Sequence, residues 1–591
     1  MKRSELMFAA LLISALALSL SYPALLNPFS VVIGAERSDV WAHIWGDWRT
    51  ERDLLNKGII PYKEDMINHP YGGTLYHVDL LNSIFSIPLR AVFGPIGAYN
   101  LTLWFQWIGA GLAQYLLART INLRHIPALL SGIGFAFAPF VLLFPLASGV
   151  AERINLMWLP LYLLCFLRLC EDKDWRWLIG CTASFFFALI GCWHYGLFLF
   201  LLSIPATIFV LVSEFRSNDN SWKSAGNLAL TKLLPLSFLC GLITIPISRI
   251  ASRSVQGEDT IFDRSFSVFW DGTSRIDLIN DFVLTDLFAP FQLGLLTTKN
   301  YDLLYETIYI GYTLTALSIV GFLSKHKHSK WLFPTAIAFI ILALGPEITL
   351  YDDAQPFSSY WFYSVASFVP FFTGMEVPWE YSLIGLLLLS LSSGIGAQCI
   401  LNKIDDLHWR QTAGVELLLI LIIEWLFISP AITPIPTSTA EIPNIYHQMA
   451  EEPDEFAVFD FPTRRAYSAL FPGEYYYYQS IHQKAIPHAI DNTWLDKSQF
   501  WVHLTHHQQS RSDMTLMNKF GRCWEGMPGG CSILDKVRSE LEQHNFRYFV
   551  LHLNLIDPER WSDHQQLFER IFGPPIEQTE QLWVFRISET Q

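Results

Sequence analysis

The sequence predicts a mainly α-helical membrane protein, a polytopic bundle of about 11 spans followed by a small α/β domain outside the bilayer. Three observations predict it. Of 591 residues only 16% are charged and 51% are hydrophobic, with a mean hydropathy of +0.29, whereas soluble chains carry about a quarter charged residues. The missing charge is missing from blocks: 97–118 and 126–151 contain no Asp, Glu, Lys or Arg, and each is long enough to cross about 30 Å of hydrocarbon as a helix. From about Ala431 the composition turns Pro-rich and then polar for the length of one ordinary domain. A net charge of −14 argues against binding a phosphate backbone, which needs clustered Lys and Arg. The same apolar content excludes a disordered chain.

The first element follows MKRSE and runs uncharged from Leu6 to Ala35, too long for the apolar core of a cleaved signal peptide. It reads as an uncleaved helix with Lys2 and Arg3 holding its start in the cytoplasm, so the polar stretch after Glu36 lies outside. Segment 80–94, with Pro88 and Arg90 inside it, reads as interfacial. Only then do the basic loops at Arg119 and Arg124, at Arg168 to Arg176, at Lys325 to Lys330 and at Lys403 to Arg410 fall on the cytoplasmic side.

The expected spans are 6–33, 97–118, 126–147, 154–170, 176–193, 195–213, 231–248, 307–324, 331–347, 379–402 and 412–431. An odd number sends the C-terminus outside. External loops then cover 36–96, 249–306 and 348–378, the last an aromatic amphipathic or re-entrant element. The expected division is a membrane domain over 1–434 and an extracytoplasmic domain over 435–591. In the tail, 455–462, 546–553 and 581–588 read as buried strands, and 444–452, 533–544 and 558–572 as helices. Six of eight cysteines lie in or beside spans. Cys523 and Cys531 flank a Gly- and Pro-rich turn, a spacing that suits either a disulfide outside the cell or a pair of free thiols.

Candidate chemistry sits at the outer ends of the spans. Asp39, His43 and Asp47 are four apart and share one face if this piece is helical; a carboxylate there suits a general base, or a solvated juxtamembrane charge. Glu152 and Arg153 open the fourth span, and Glu306 the eighth. Asp39, Glu152 and Glu306 offer oxygen ligands for a divalent cation such as Mg or Mn, or are simply acids at helix starts. His194 stands between two spans beside Trp193 and Tyr195, as an interfacial or a substrate-contacting residue. Arg249, Arg253, Arg264 and Arg275 lie outside against the positive-inside trend and suit phosphate oxygens or lipid headgroups. Glu424, inside an apolar run, is either functional or hydrogen-bonded to a neighbouring helix. The Tyr475 to Tyr478 run reads as core filling.

The order of features resembles the GT-C class of integral membrane glycosyltransferases, in particular the YfhO-like and dolichyl-phosphate mannosyltransferase-like bacterial membrane proteins. It is carried by Asp39, FGPIGAYNL (93–101), GFAFAPF (134–140), SGVAERINLMWLPLYLL (148–164), SRIDLINDFVLTDLFAP (274–290), ETIYIGYTLTALSIVGF (306–322) and a tail with FDFPTRR, HQKAIPHAID and FRYFVLH. The resemblance implies an enzyme of the inner membrane that takes a sugar from a polyprenyl-phosphate donor at the outer leaflet and passes it, with inversion, to an acceptor hydroxyl. Asp39 corresponds to the first-loop catalytic acid and Glu152 to the second-loop one, with His43, Arg153, His194 and Arg264 as substrate contacts. The chain departs from that pattern at GMEVPWEYS, where Glu376 and Glu380 replace two arginines. A transporter would instead place its ionisable groups at mid-bilayer, and a non-catalytic assembly protein would use the loop acids only as surface charge.

Overall fold

The computed structural model describes residues 2–587 apart from 37, 61–62, 75–78, 173, 218–220, 256–286, 289–306, 346, 349–356, 359–377, 440, 464–471, 490–493, 499, 502–503 and 505–531. Arg264, Arg275, Glu306, Glu376, Cys523 and Cys531 therefore lie outside the described residues, as do the side chains of Arg249 and Arg253. The chain divides into two units, Met1–His43 with Asp79–Ala440, and Ile44–Val78 with Glu441–Gln591.

The first unit is helical. Among the described residues seven helices are long and apolar enough to cross a membrane: Arg3–Leu20, Leu80–Thr120, His125–Ala147, Ala151–Asp172, Trp193–Ser217, Trp222–Ile247 and Pro378–Leu401. Three further apolar helices, Trp175–Gly191, Tyr312–Leu323 and Ser329–Ala343, are shorter. Leu407–Phe427 is long but carries Arg410, Glu416 and Glu424. Eleven helices among the described residues thus stand where eleven spans are expected, but length and charge qualify only seven. The segment expected at the interface is a separate arm: Leu80–Thr120 breaks at Gly94, whose backbone leaves the helical region immediately before Pro95.

Helix Ser382–Leu401 lies at the heart of this unit, buried from Ser382 to Ala397. Its small residues explain why. Water does not drive apolar helices together inside lipid, so they associate where small side chains let backbones approach. A Cβ placed on Gly396 would collide with the Leu317 carbonyl oxygen, and one on Gly321 with that of Ser392. The Ser318 hydroxyl donates to the Leu389 carbonyl at 2.9 Å across the same seam. Asn100, inside an apolar run, donates to the carbonyls of Pro28 and Val31 and accepts from the Ile33 amide. It thereby ties down strand Val31–Ile33, which pairs antiparallel with Thr437–Thr439.

Glu424 has a structural task. Its carboxylate accepts the Tyr309 hydroxyl at 2.9 Å and the amides of Tyr312 and Thr313 at 2.5 and 2.9 Å. These are the first amides of helix Tyr312–Leu323, groups that no intrahelical carbonyl can satisfy. Of the two readings the sequence leaves open for this acid, functional group or partner of a neighbouring helix, the structure shows the second.

The second unit holds a four-stranded sheet in the order Ala457–Phe461, Phe546–His552, Leu582–Arg586, Glu577–Gln578. The first pair is parallel and the others antiparallel. Every residue of the first two strands is buried, which is why both read as unbroken apolar runs and not as alternation. Tyr475, Tyr476 and Tyr477 are buried on helix Glu474–His482. Tyr446 and His552 Nε2 both bond to the buried Asp460 carboxylate. The first-loop residues 44–78 belong to this unit, whereas the sequence places them with the membrane domain. Trp45 donates to the Gln479 side chain at 2.8 Å, the Ile486 amide to the Met66 carbonyl at 2.8 Å, and Arg49 pairs with Asp53 and Glu64 in full burial.

Candidate active site

Asp39 immediately precedes helix Val40–Lys57. Its amide donates to the Ser148 carbonyl at 3.1 Å, and its own carbonyl accepts the His43 amide at 3.2 Å. The spacing read from the sequence is therefore helical, with Asp39 exposed one turn ahead of His43. The contact with the Ser148 turn requires glycine: Gly149 has φ +67, and a Cβ there would collide with the Val40 side chain.

From His43 a chain of alternating charges runs inward. His43 Nε2 stands 2.9 Å from Glu152 Oε2, and Glu152 Oε1 lies 3.4 Å from Arg153 Nη1. The Arg153 guanidinium grips Glu380 Oε1 through Nε at 3.0 Å and Nη2 at 2.9 Å. The other Glu380 oxygen meets His194 Nδ1 at 3.0 Å. Arg153 Nη1 also donates to Cys192 Sγ at 3.0 Å, and the Tyr195 hydroxyl to the Arg153 carbonyl. Glu380 is 1% exposed and His194 6%, so these charges depend on one another and not on water. Burial opposes a charged His43, but the Glu152 carboxylate, helped by Asp79 and Asp39, raises its pKa to about 9.

Asp39 and Glu152 thus both act on His43. Asp79 caps helix Leu80–Thr120 through the Asn82 amide. Asn155, fully buried, donates to Asp79 and to the carbonyls of Glu152 and Gly191. Glu152, His194 and Glu380 each sit in the opening turn of a helical segment, at Ala151, Trp193 and Pro378. Helix starts favour anions, which suits Asp79, Glu152 and Glu380. The position of Asp47 is different: it is buried, on the part of the helix that belongs to the second unit.

The sequence reading finds five of the residues around this cluster and misses the partner that organises them. Glu380 reads there only as the wrong charge for phosphate. Asp79, Asn82, Gln106 and Asn155 are also missed, although Asn or Gln within apolar runs was a signal for them; Gln106 donates to Asn82, which donates to Asp79. Among the described residues no group of three or more His, Cys, Asp or Glu side chains is placed to hold a metal ion. Glu152 faces two cationic groups, His43 and Arg153; Glu306, the third residue of the expected cation trio, lies outside the described residues.

No protein-family profile matches the chain, and no curated protein matches it in sequence. Solved structures do resemble it. The mycobacterial arabinofuranosyltransferase AftD, by cryo-EM, aligns with 100% of this chain and 42% of its own at 11% identity and a TM-score of 0.54. The Archaeoglobus fulgidus oligosaccharyltransferase in its apo form covers 93% of this chain and 69% of its own at 13% identity and a TM-score of 0.49. ArnT from Cupriavidus metallidurans covers 98% and 97% at 12% identity and a TM-score of 0.39. In fold the chain is similar to AftD.

Proposed function

We propose that this chain is a membrane glycosyltransferase that moves a sugar from a polyprenyl-phosphate donor to a hydroxyl of a cell-envelope glycan, lipid or protein at the outer leaflet. One observation carries the reading: the exposed Asp39 stands one helical turn from a charge chain that runs from half-buried His43, Glu152 and Arg153 to buried Glu380 and His194, gathered where several apolar segments begin. The fold shared with AftD, itself an arabinofuranosyltransferase, supports it.

In this reading Asp39 accepts the acceptor's hydroxyl proton. The hydroxyl oxygen bonds to the anomeric carbon from the face opposite the phosphate, and the sugar–phosphate C–O bond breaks with its electrons left on the phosphate. Arg153 and the protonated His43 supply the positive field for that developing anion, His194 aligns Glu380 and through it Arg153, and Arg264 is a further phosphate contact. The N-terminus is cytoplasmic and the unit carrying 441–591 extracytoplasmic. Replacing Asp39→Asn should abolish sugar incorporation into the outer-surface glycan at unchanged protein level; full incorporation would remove Asp39 from the chemistry.

One observation favours a non-catalytic assembly protein: Arg153 is already held by Glu152 and Glu380, which offsets its charge before any phosphate arrives. That reading predicts that Asp39→Asn leaves the glycan unaltered.

A further inference from the structure

Two of the helical segments whose first turns hold the charge chain, those opening at Ala151 and Pro378, run to a second polar place at Arg168 and Leu401. Helix Ser382–Leu401 follows directly on Glu380 and closes at Leu401; at 1.5 Å per residue its two ends are about 30 Å apart, one bilayer core. Around Leu401 and Asn402 lies a cavity of about 1230 Å³, at least the size of a pocket for a drug-sized molecule. Arg119, Arg124, Arg168 and Arg410 line it, with His125, and Glu5 is its only acidic lining residue among those described. Part of its wall is apolar, with Leu116, Leu161 and Leu164.

The arginines are only partly neutralised. Arg119 pairs with Glu5 at 3.0 Å, and Arg168 with Asp172 at 3.7 Å. Arg410 is fixed by carbonyls, donating through Nε and Nη2 to Ile404 O at 2.9 and 2.6 Å. That contact orients the guanidinium and leaves its charge in place. The Asp406 carboxylate caps the Trp409 amide and is not paired with Arg410. Among the described residues no carboxylate pairs with Arg124 or Arg410.

We propose that this cavity, at the end of the bundle opposite the charge chain, binds an anionic phospholipid, with the headgroup phosphate among Arg124, Arg168 and Arg410 and an acyl chain along the leucine wall. Charge complementarity selects the anionic lipid over a zwitterionic one. A basic pocket between helices beside an apolar wall suits a phosphate that arrives attached to hydrocarbon. The site is independent of the proposed transferase chemistry and lies in the other leaflet from it.

The test uses the full chain in nanodiscs of mixed phosphatidylglycerol and phosphatidylcholine, with lipid retention read by native mass spectrometry and unfolding temperature read alongside. The wild type should retain phosphatidylglycerol and be stabilised by it. The pair Arg124→Gln with Arg410→Gln should retain roughly 30-fold less, and the pair Arg124→Lys with Arg410→Lys should stay near wild type. If the glutamine pair fails to fold in pure phosphatidylcholine, Arg168→Gln, on an exposed flank, should still lower retention about fivefold. Equal retention by wild type and glutamine variants would overturn the proposal. So would equal stabilisation by phosphatidylcholine, or by inorganic phosphate alone.

Discussion

Replacing Glu152→Gln probes the ion pair that anchors the charge chain. In the folded protein His43 has a pKa of about 9, against 6.5 without its surroundings. Burial alone would lower it, and the Glu152 carboxylate at 2.9 Å more than reverses that. A pKa raised on folding means that the folded state binds the proton more tightly. Its contribution is therefore complete below pH 6.5 and is lost as pH rises through about 9. The rise corresponds to about 3 kcal/mol. His482 of the second unit, held down to about 4 by burial against an ordinary 6.5, adds stability as pH rises past 6.5, and does so equally in wild type and variant. The assay is denaturant unfolding of the detergent-solubilised chain at about pH 6 and about pH 9.5. The raised pKa of His43 contributes a loss of about 3 kcal/mol between the two in wild type. Glu152→Gln removes the carboxylate that raises His43 most, so most of that contribution should vanish from the variant while that of the other histidines stays. An identical loss in both proteins would refute the assignment of this pair.

Three further outcomes follow from the packing. Glu380→Gln removes the carboxylate charge that Arg153 Nε and Nη2 both meet at Oε1 and leaves Glu152 as the remaining counter-charge of Arg153; unfolding should be easier by about 3 kcal/mol, measured in the same detergent at neutral pH. Gly396→Ala drives a methyl into the Leu317 carbonyl and should cost about 1–3 kcal/mol. Gly226→Ala, with nothing within 4 Å of the new Cβ, should be neutral or stabilising; thermal unfolding of the two variants side by side checks both.

Composition and periodicity alone were enough for the membrane class, because an uncharged run of about twenty residues has few places to go except lipid. They were enough, too, for the strands Ala457–Phe461 and Phe546–His552, whose burial on both faces writes itself as continuous apolar sequence. Local spacing placed Asp39 and His43 on one helical turn.

What the sequence could not decide was pairing across distance. Arg153 and Glu380 are 227 positions apart, and nothing local in either segment names the other. The same holds for Glu424, 111 positions from the Thr313 amide it caps, and for Trp45, 434 positions from Gln479. A buried charge is tolerable only beside its partner, but which partner is set by how helices meet. In this chain that is fixed by glycine and serine seams such as Gly396 against Leu317, where small residues decide which backbones can touch. Residue type told where charge would be expensive; only the tertiary packing told what neutralises it.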